Sequence, residues 1–254
     1  MFREMRVCLG LACLCIPTVQ AGEVILSGDS SVVYSLPGGS FGPTPNDNDT
    51  FFTNVLGSGT SVGLISDLPG SGDALLTSHY TGLAGVSISN LTGTSITPEI
   101  LDETDLLFVA LPDRSFSDTE LSALSDFVNG DGTVFFIGEH GNFDFASNVR
   151  INDTLESLGS TLRILSTFDD TNTDGFVATR ENGQIIDHPF TAGVSSFVYG
   201  GAAISAVSGG DVDLFLETDA TTPFVATETI PEPTTLLLFA IAGTMVGRRF
   251  RLPS

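Results

Sequence analysis

The stretch Asp105-Leu106-Leu107-Phe108-Val109-Ala110-Leu111, continued through Ser117-Asp118-Thr119-Glu120 to Thr133-Val134-Phe135-Phe136-Ile137, decides the fold class. Its first part is an unbroken apolar run bounded by Asp105 and Pro112, the pattern of a strand buried on both faces. Ser117 with Glu120 three residues on forms a capping box. It opens a helix on which Leu121, Leu124, Phe127 and Val128 share one face. Asn129-Gly130-Asp131-Gly132 closes that helix, and the second apolar run follows at once. Strand, helix and strand in so short a span form the right-handed crossover that builds a parallel sheet.

Working outward, Glu23-Val24-Ile25-Leu26-Ser27 is expected to open the sheet, residues 49–56 to form a short helix, and residues 61–66 another strand. Beyond Ile137, the turn Gly138-Glu139-His140-Gly141-Asn142 leads to a helical stretch over 146–158. Thr161-Leu162-Arg163-Ile164-Leu165 is expected to return as a strand. Residues 197–224 alternate more and carry more glycine, which suggests antiparallel hairpins at one edge. The expected fold is α/β, an open three-layer sandwich with a mostly parallel sheet and a β-rich C-terminal part.

These motifs resemble the glutamine-amidotransferase-like, flavodoxin-like superfamily that includes the ThuA-like proteins. The resemblance rests on the strand 106–111, the Ser117–Glu120 cap, the Gly130-Asp131-Gly132 turn and the exit Phe136-Ile137-Gly138-Glu139-His140-Gly141. The segment His188-Pro189-Phe190-Thr191-Ala192-Gly193-Val194 adds to it. In amidotransferases of that superfamily the turn after this strand carries a nucleophilic cysteine. Here it reads Gly138-Glu139-His140-Gly141, and all three cysteines, Cys8, Cys13 and Cys15, lie near the N-terminus. Glutamine hydrolysis is therefore not expected.

Open α/β sheets place ligands at the carboxyl ends of their strands. Glu139 and His140 are thus the candidate acid and base, and Asp113, Arg114 and Asn142 candidate ligand-binding groups. The plainer reading has Gly138 and Gly141 shaping a turn while Glu139 and His140 cap the next helix. His188, before Pro189, reads as a turn residue. Asp170-Thr171-Asn172-Thr173-Asp174-Gly175 with Glu181 satisfies the calcium-loop spacing, with Asp170, Asn172, Asp174 and Glu181 as oxygen ligands. Against it, Phe176-Val177-Ala178-Thr179 reads as strand, not as the helix of an EF-hand. Asn46-Asp47-Asn48-Asp49 is read as the cap of the helix carrying Phe51 and Phe52. No P-loop, dinucleotide fingerprint or G-x-S-x-G elbow is present.

The chain has 254 residues, 9 basic against 31 acidic groups and a formal net charge of −22; every basic residue is arginine. A surface so poor in cations cannot neutralise a phosphate backbone, so nucleic-acid binding is excluded. Arg3 and Arg6, an apolar run from Val7 to Ile16 and the small residues Val19 and Ala21 make residues 1–21 a secretory signal peptide. The run is too short to span a bilayer. At the other end, Pro231-Glu232-Pro233 leads into an apolar segment and then Arg248, Arg249 and Arg251. This tail resembles the PEP-CTERM sorting domain; a simple tail anchor is the alternative. The resemblance implies Sec-type export and recognition by an exosortase in the envelope of a Gram-negative bacterium that makes extracellular polysaccharide.

Three segments follow: a signal peptide (1–21), an α/β domain (22–229) and a sorting signal (230–254). Losing both ends removes five arginines and only Glu4 and Glu232, so the exported part is more acidic still. The expected function is that of an exported cell-envelope or matrix protein whose non-catalytic domain binds or supports other components. One alternative is an extracellular hydrolase of a glycan or small carbonyl compound using Glu139 and His140. Another is a calcium-dependent polysaccharide binder.

Overall fold

The computed structural model describes residues 22–42, 45–169, 176–200 and 203–230. The signal peptide, the sorting motif, and Asp170, Asn172 and Asp174 of the calcium loop lie outside the described residues. Among the described residues, no helix is long and apolar enough to cross a membrane.

The first half of the chain runs β1 (Glu23–Ser27), α1 (Ser31–Tyr34), α2 (Asn48–Leu56), β2 (Ser61–Ser66), α3 (Gly72–Thr81), β3 (Ser87–Asn90), α4 (Pro98–Leu101), β4 (Leu106–Ala110), α5 (Asp118–Asn129) and β5 (Thr133–Ile137). The second half runs α6 (Phe145–Ser157), β6 (Arg163–Ile164), β7 (Val177–Thr179), a 3-10 turn (Pro189–Thr191), β8 (Ser196–Val198), β9 (Val207–Ser208), β10 (Val212–Leu216) and β11 (Pro223–Thr229). Seven strands form one sheet in the order β10-β11-β1-β5-β4-β2-β3. The five from β1 to β3 in that order are mutually parallel, and β11 and β10 continue the sheet antiparallel. The fold is the expected α/β sandwich with a β-rich C-terminal part.

The order carries a consequence for the site. Strands β2 to β5 follow the flavodoxin arrangement, in which the second strand lies outside the first and the third and fourth lie on its other side. The fifth parallel place is taken by β1, from the start of the chain. With β11 on the far side of β1, the chain leaving α6 finds no free parallel lane. Residues 161–165 therefore do not return to the sheet: only Arg163–Ile164 is strand, paired antiparallel with β9 in a separate ribbon.

All five residues of β4 are buried, as a strand covered on both faces requires. Alternate residues feed two cores. Ile25, Leu64, Phe108 and Phe135 pack with Phe51 and Phe52 of α2, Leu76 and Tyr80 of α3, and Phe197 and Phe215. Val24, Leu26, Leu107, Val109 and Phe136 pack on the other face with Leu124 and Val128 of α5 and Ile151 and Leu155 of α6. Phe51 meets Phe135, Phe197 and Phe215 edge-on at 5.0–6.0 Å between centroids, which ties the parallel strands to the C-terminal ones.

The capping box of α5 is present: Ser117 Oγ accepts from Glu120 N at 3.4 Å, and Glu120 Oε2 accepts from Ser117 N at 2.9 Å. The run before Phe51 caps α2, with Asn46 Oδ1 accepting from Asn48 N at 3.1 Å, and also ties the helix to the rest of the domain. Asp47 Oδ2 accepts from Ser195 N and Ser196 N at 2.8 and 3.0 Å. Asn48, fully buried, donates to Val32 O of α1 and Val198 O of β8 and accepts from Val198 N. It is a tertiary clamp that fixes α1.

Candidate functional site

The neighbouring strands β1 and β5 lead to opposite faces of the sheet: α1 joins the first core, α6 the second. Where adjacent parallel strands diverge in this way, a crevice opens at their carboxyl ends. Asp29 and Ser30 follow β1, and Glu139 and His140 follow β5. Gly138 N donates to Ser27 O at 2.9 Å, so the two exits are held side by side.

Glu139 is 6% exposed and Asp29 is fully buried. Glu139 Oε2 accepts from Ser30 Oγ at 2.6 Å and Oε1 accepts from His140 N at 3.0 Å. Asp29 Oδ1 accepts from Ser31 N at 2.7 Å. Its Oδ2 is buried with no hydrogen-bond partner. Burial and then the Glu139 carboxylate push the Asp29 pKa well above the usual carboxylate range. Two adjacent buried carboxyl groups disfavour each other's charge, which is why the shift on Asp29 is upward. Tyr34 is pushed up to about 12 by burial, Glu139 and Asp73, so its hydroxyl stays neutral; it donates to Pro69 O.

Ser30, Tyr34 and Glu139 floor a cavity of about 430 Å³, lined also by Ser31, Ser40, Phe41, Pro69, His140 and Phe143; Asp29 is not in its wall. Phe41 and Phe143 are 39% and 60% exposed. Phe168, 46% exposed, lies edge-on to the His140 ring at 5.3 Å, with Phe143 at 5.9 Å. Phe145 and Leu165 are exposed nearby in the chain. Exposed apolar rings gathered beside a polar floor mark a contact surface.

The expected acid and base, Glu139 and His140, both line this cavity without a hydrogen bond between their side chains. His140 Nε2 lies 3.7 Å from Glu139 Oε1, beyond proton-transfer reach, and both Glu139 oxygens already accept other donors. Asp113 and Arg114 are not in the wall of this cavity. They border a separate shallow depression with Ser66, Asp67 and Thr92, at the divergence of β2 and β4. The Arg114 guanidinium is committed to Glu120 through two bonds of 2.7 and 2.9 Å. Asn142 is exposed in the turn and does not line the cavity. Glu181 is exposed, and among the described residues no group of three or more His, Cys, Asp or Glu side chains could hold a metal ion.

A larger depression of about 680 Å³ lies at the amino end of the sheet, lined by Glu23, Asn54, Asp105, Asp126 and His188 among others. Several of its polar groups are spent on structure. Asn54 donates to Phe190 O and Ala192 O, Asp105 Oδ2 accepts from Thr60 N, Ser61 N and Ser61 Oγ, and His188 caps the 3-10 turn as its sequence suggested. Open α/β sheets use the other edge, where Glu139 sits.

Ser30, Asp29 and Asn148 are contributors not evident in the sequence. Asp29 lies in an ordinary-looking Ser27-Gly28-Asp29-Ser30 turn; the one available signal is its place at the carboxyl end of the first strand. Asn148 of α6 accepts from Glu139 N at 3.0 Å and donates to Glu139 O at 2.5 Å and Ser166 Oγ at 3.2 Å. No protein-family model matches this sequence, and no characterised protein matches it.

Proposed function

We propose that this chain is an exported, exosortase-sorted protein of the cell surface or matrix whose domain binds an uncharged polyhydroxylated ligand, a neutral segment of extracellular polysaccharide. The observation that carries the reading is the cavity at the β1–β5 divergence, with a hydroxyl- and carboxyl-bearing floor and exposed Phe41 and Phe143 at its rim. Such a wall offers hydrogen bonds to sugar hydroxyls and flat apolar faces to sugar rings.

The arginines support an uncharged ligand. None lines the cavity. Arg114 is held by Glu120, Arg150 donates to Pro112 O, Arg163 to Ser160 O and Leu162 O, and Arg180 to Asp187, Val194 O and Thr191 O. An acidic polymer would meet the Glu139 carboxyl group and, among the described residues, no arginine there.

The attachment of the ends supports surface display. Ile230 N donates to Gly22 O at 3.1 Å, so the signal peptide and sorting tail join the domain side by side at the amino end of β1. The cavity opens at the opposite end of that strand. A domain tethered through residue 230 turns its cavity away from the tether.

Calorimetric titration of the exported protein with neutral and acidic oligosaccharides tests the ligand. Binding of neutral chains, weakened at least tenfold by Phe143→Ala, is expected; equal binding of acidic chains, or none of either, removes the reading. Mass spectrometry of the cell-surface form tests the sorting, with loss of the chain beyond the 231–233 triplet expected.

A further inference from the structure

The side chain of Ser30 is not used as its position would suggest. It occupies the N-cap of α1, where a serine ordinarily accepts a backbone N–H, yet it makes no capping bond. Its hydroxyl instead donates to Glu139 Oε2 at 2.6 Å, a charge-assisted contact that joins residues 109 apart in the chain. Both residues line the cavity, and each is set at the end of a central strand, where its position is rigid. Glu139 is oriented by a second bond from His140 N and by the Asn148 clamp on its backbone. Behind it lies Asp29, fully buried, whose Oδ2 has no partner. A hydroxyl within hydrogen-bond reach of a base that a further group supports is the general signature of an activated nucleophile.

We infer that Ser30 is the nucleophile of an ester-cleaving centre, with Glu139 as its proton acceptor and donor, and that its substrate is an O-acyl ester carried on the ligand of this cavity. The inference takes its ligand from the proposed function and its chemistry from the Ser30–Glu139 contact. In the first step Ser30 Oγ bonds to the acyl carbon and its proton passes to Glu139 Oε2. The carbon–oxygen bond to the sugar then breaks, and Glu139 returns the proton to the departing alcohol oxygen. A water next attacks the acyl-Ser30 ester, gives one proton to Glu139, and releases the free acid as the proton returns to Ser30 Oγ. The sum is ester plus water giving acid plus alcohol. A carboxylate is a weaker base than an imidazole, which suits an alcohol leaving group better than an amine.

The test uses the full exported chain. A fluorophosphonate probe should add one phosphonyl mass, mapped to Ser30, and p-nitrophenyl acetate should be hydrolysed at least a hundredfold faster than by Ser30→Ala. Glu139→Gln should lose both signals while keeping its thermal transition. Absence of a Ser30 adduct on the folded wild-type protein, or turnover equal to that of Ser30→Ala, overturns the proposal. Because the phosphonate needs no sugar, an adduct without glycan binding sinks only the ligand assignment. Glycan binding without an adduct sinks only the esterase.

Discussion

The Asn148 carboxamide holds the backbone of Glu139 on both sides, accepting from its N–H at 3.0 Å and donating to its carbonyl at 2.5 Å. Both ends of this clamp are buried. Asn148→Asp keeps the acceptor but loses the donor and sets a second charge beside Glu139. It is expected to cost about 2–3 kcal/mol, the penalty of an unpaired buried carbonyl with added repulsion. Urea unfolding should show a lower midpoint with an unchanged slope; an unchanged midpoint would mean that Asn148 does not hold the turn.

Gly138 is the position that lets α6 approach so closely. A Cβ there would lie 2.3 Å from Ile164 Cδ1 and 2.7 Å from Asn148 Oδ1. The isoleucine methyl can swing aside, but the amide oxygen is pinned by Glu139 N. Gly138→Ala should therefore destabilise by about 1–3 kcal/mol through overpacking. Its cost should fall by about 1 kcal/mol in an Asn148→Ala background, because the pinned neighbour is gone. A double-mutant cycle checks this, and strict additivity would show that Asn148 is not the obstacle.

The layers of the fold were legible wherever burial imposes a period. The strands β1, β2, β4 and β5 and the helices α2 and α5 have apolar patterns that admit one reading, and the Ser117–Glu120 box marks a helix start within a residue. Residues 161–165 show the limit: their local pattern suits a strand, but whether a lane is free depends on β1 and β11, far away in the chain. The site was half legible for the same reason. Glu139 follows an obvious strand, whereas its partners Ser30 and Asp29 are brought to it by the β1–β5 pairing, which no local pattern encodes. Arg114 was drawn toward the site by sequence proximity to β4, and the Glu120 carboxylate claims it instead.

A second acidic cluster, outside the cavity lining, gives a further pH signature. Glu217, at the end of β10, is pushed up to about 7 by burial, by Asp169 and by Asp219. Below about pH 4.5 it is protonated both folded and unfolded. Between about 4.5 and 7 only the unfolded chain ionises, so stability falls as pH rises through this window. The loss is expected to be on the order of 1–2 kcal/mol once solvent screening is allowed for. Glu217→Gln should flatten thermal stability between pH 5 and 7; a variant that keeps the wild-type slope would assign it elsewhere.

Arg114 and Glu120 titrate in the opposite sense and separate structure from function. The Arg114 guanidinium above all, with Ser117 N, Ile96 N and Ser117 Oγ, holds Glu120 down to about 2 against the effect of its burial. The stabilisation is full above about pH 4.5 and is lost as pH falls toward 2, so Glu120→Gln should flatten the acid limb of the stability curve. At neutral pH, Arg114→Ala is expected to cost about 1 kcal/mol, because the arginine is 43% exposed. Glu120→Ala should cost about 2–4 kcal/mol, since it strands the backbone N–H groups of Ile96 and Ser117 as well. Ligand binding at the cavity should change less than twofold in Arg114→Ala. A tenfold loss of binding in that variant would place the arginine in the site after all, while unchanged binding with lowered stability assigns it to the α5 cap.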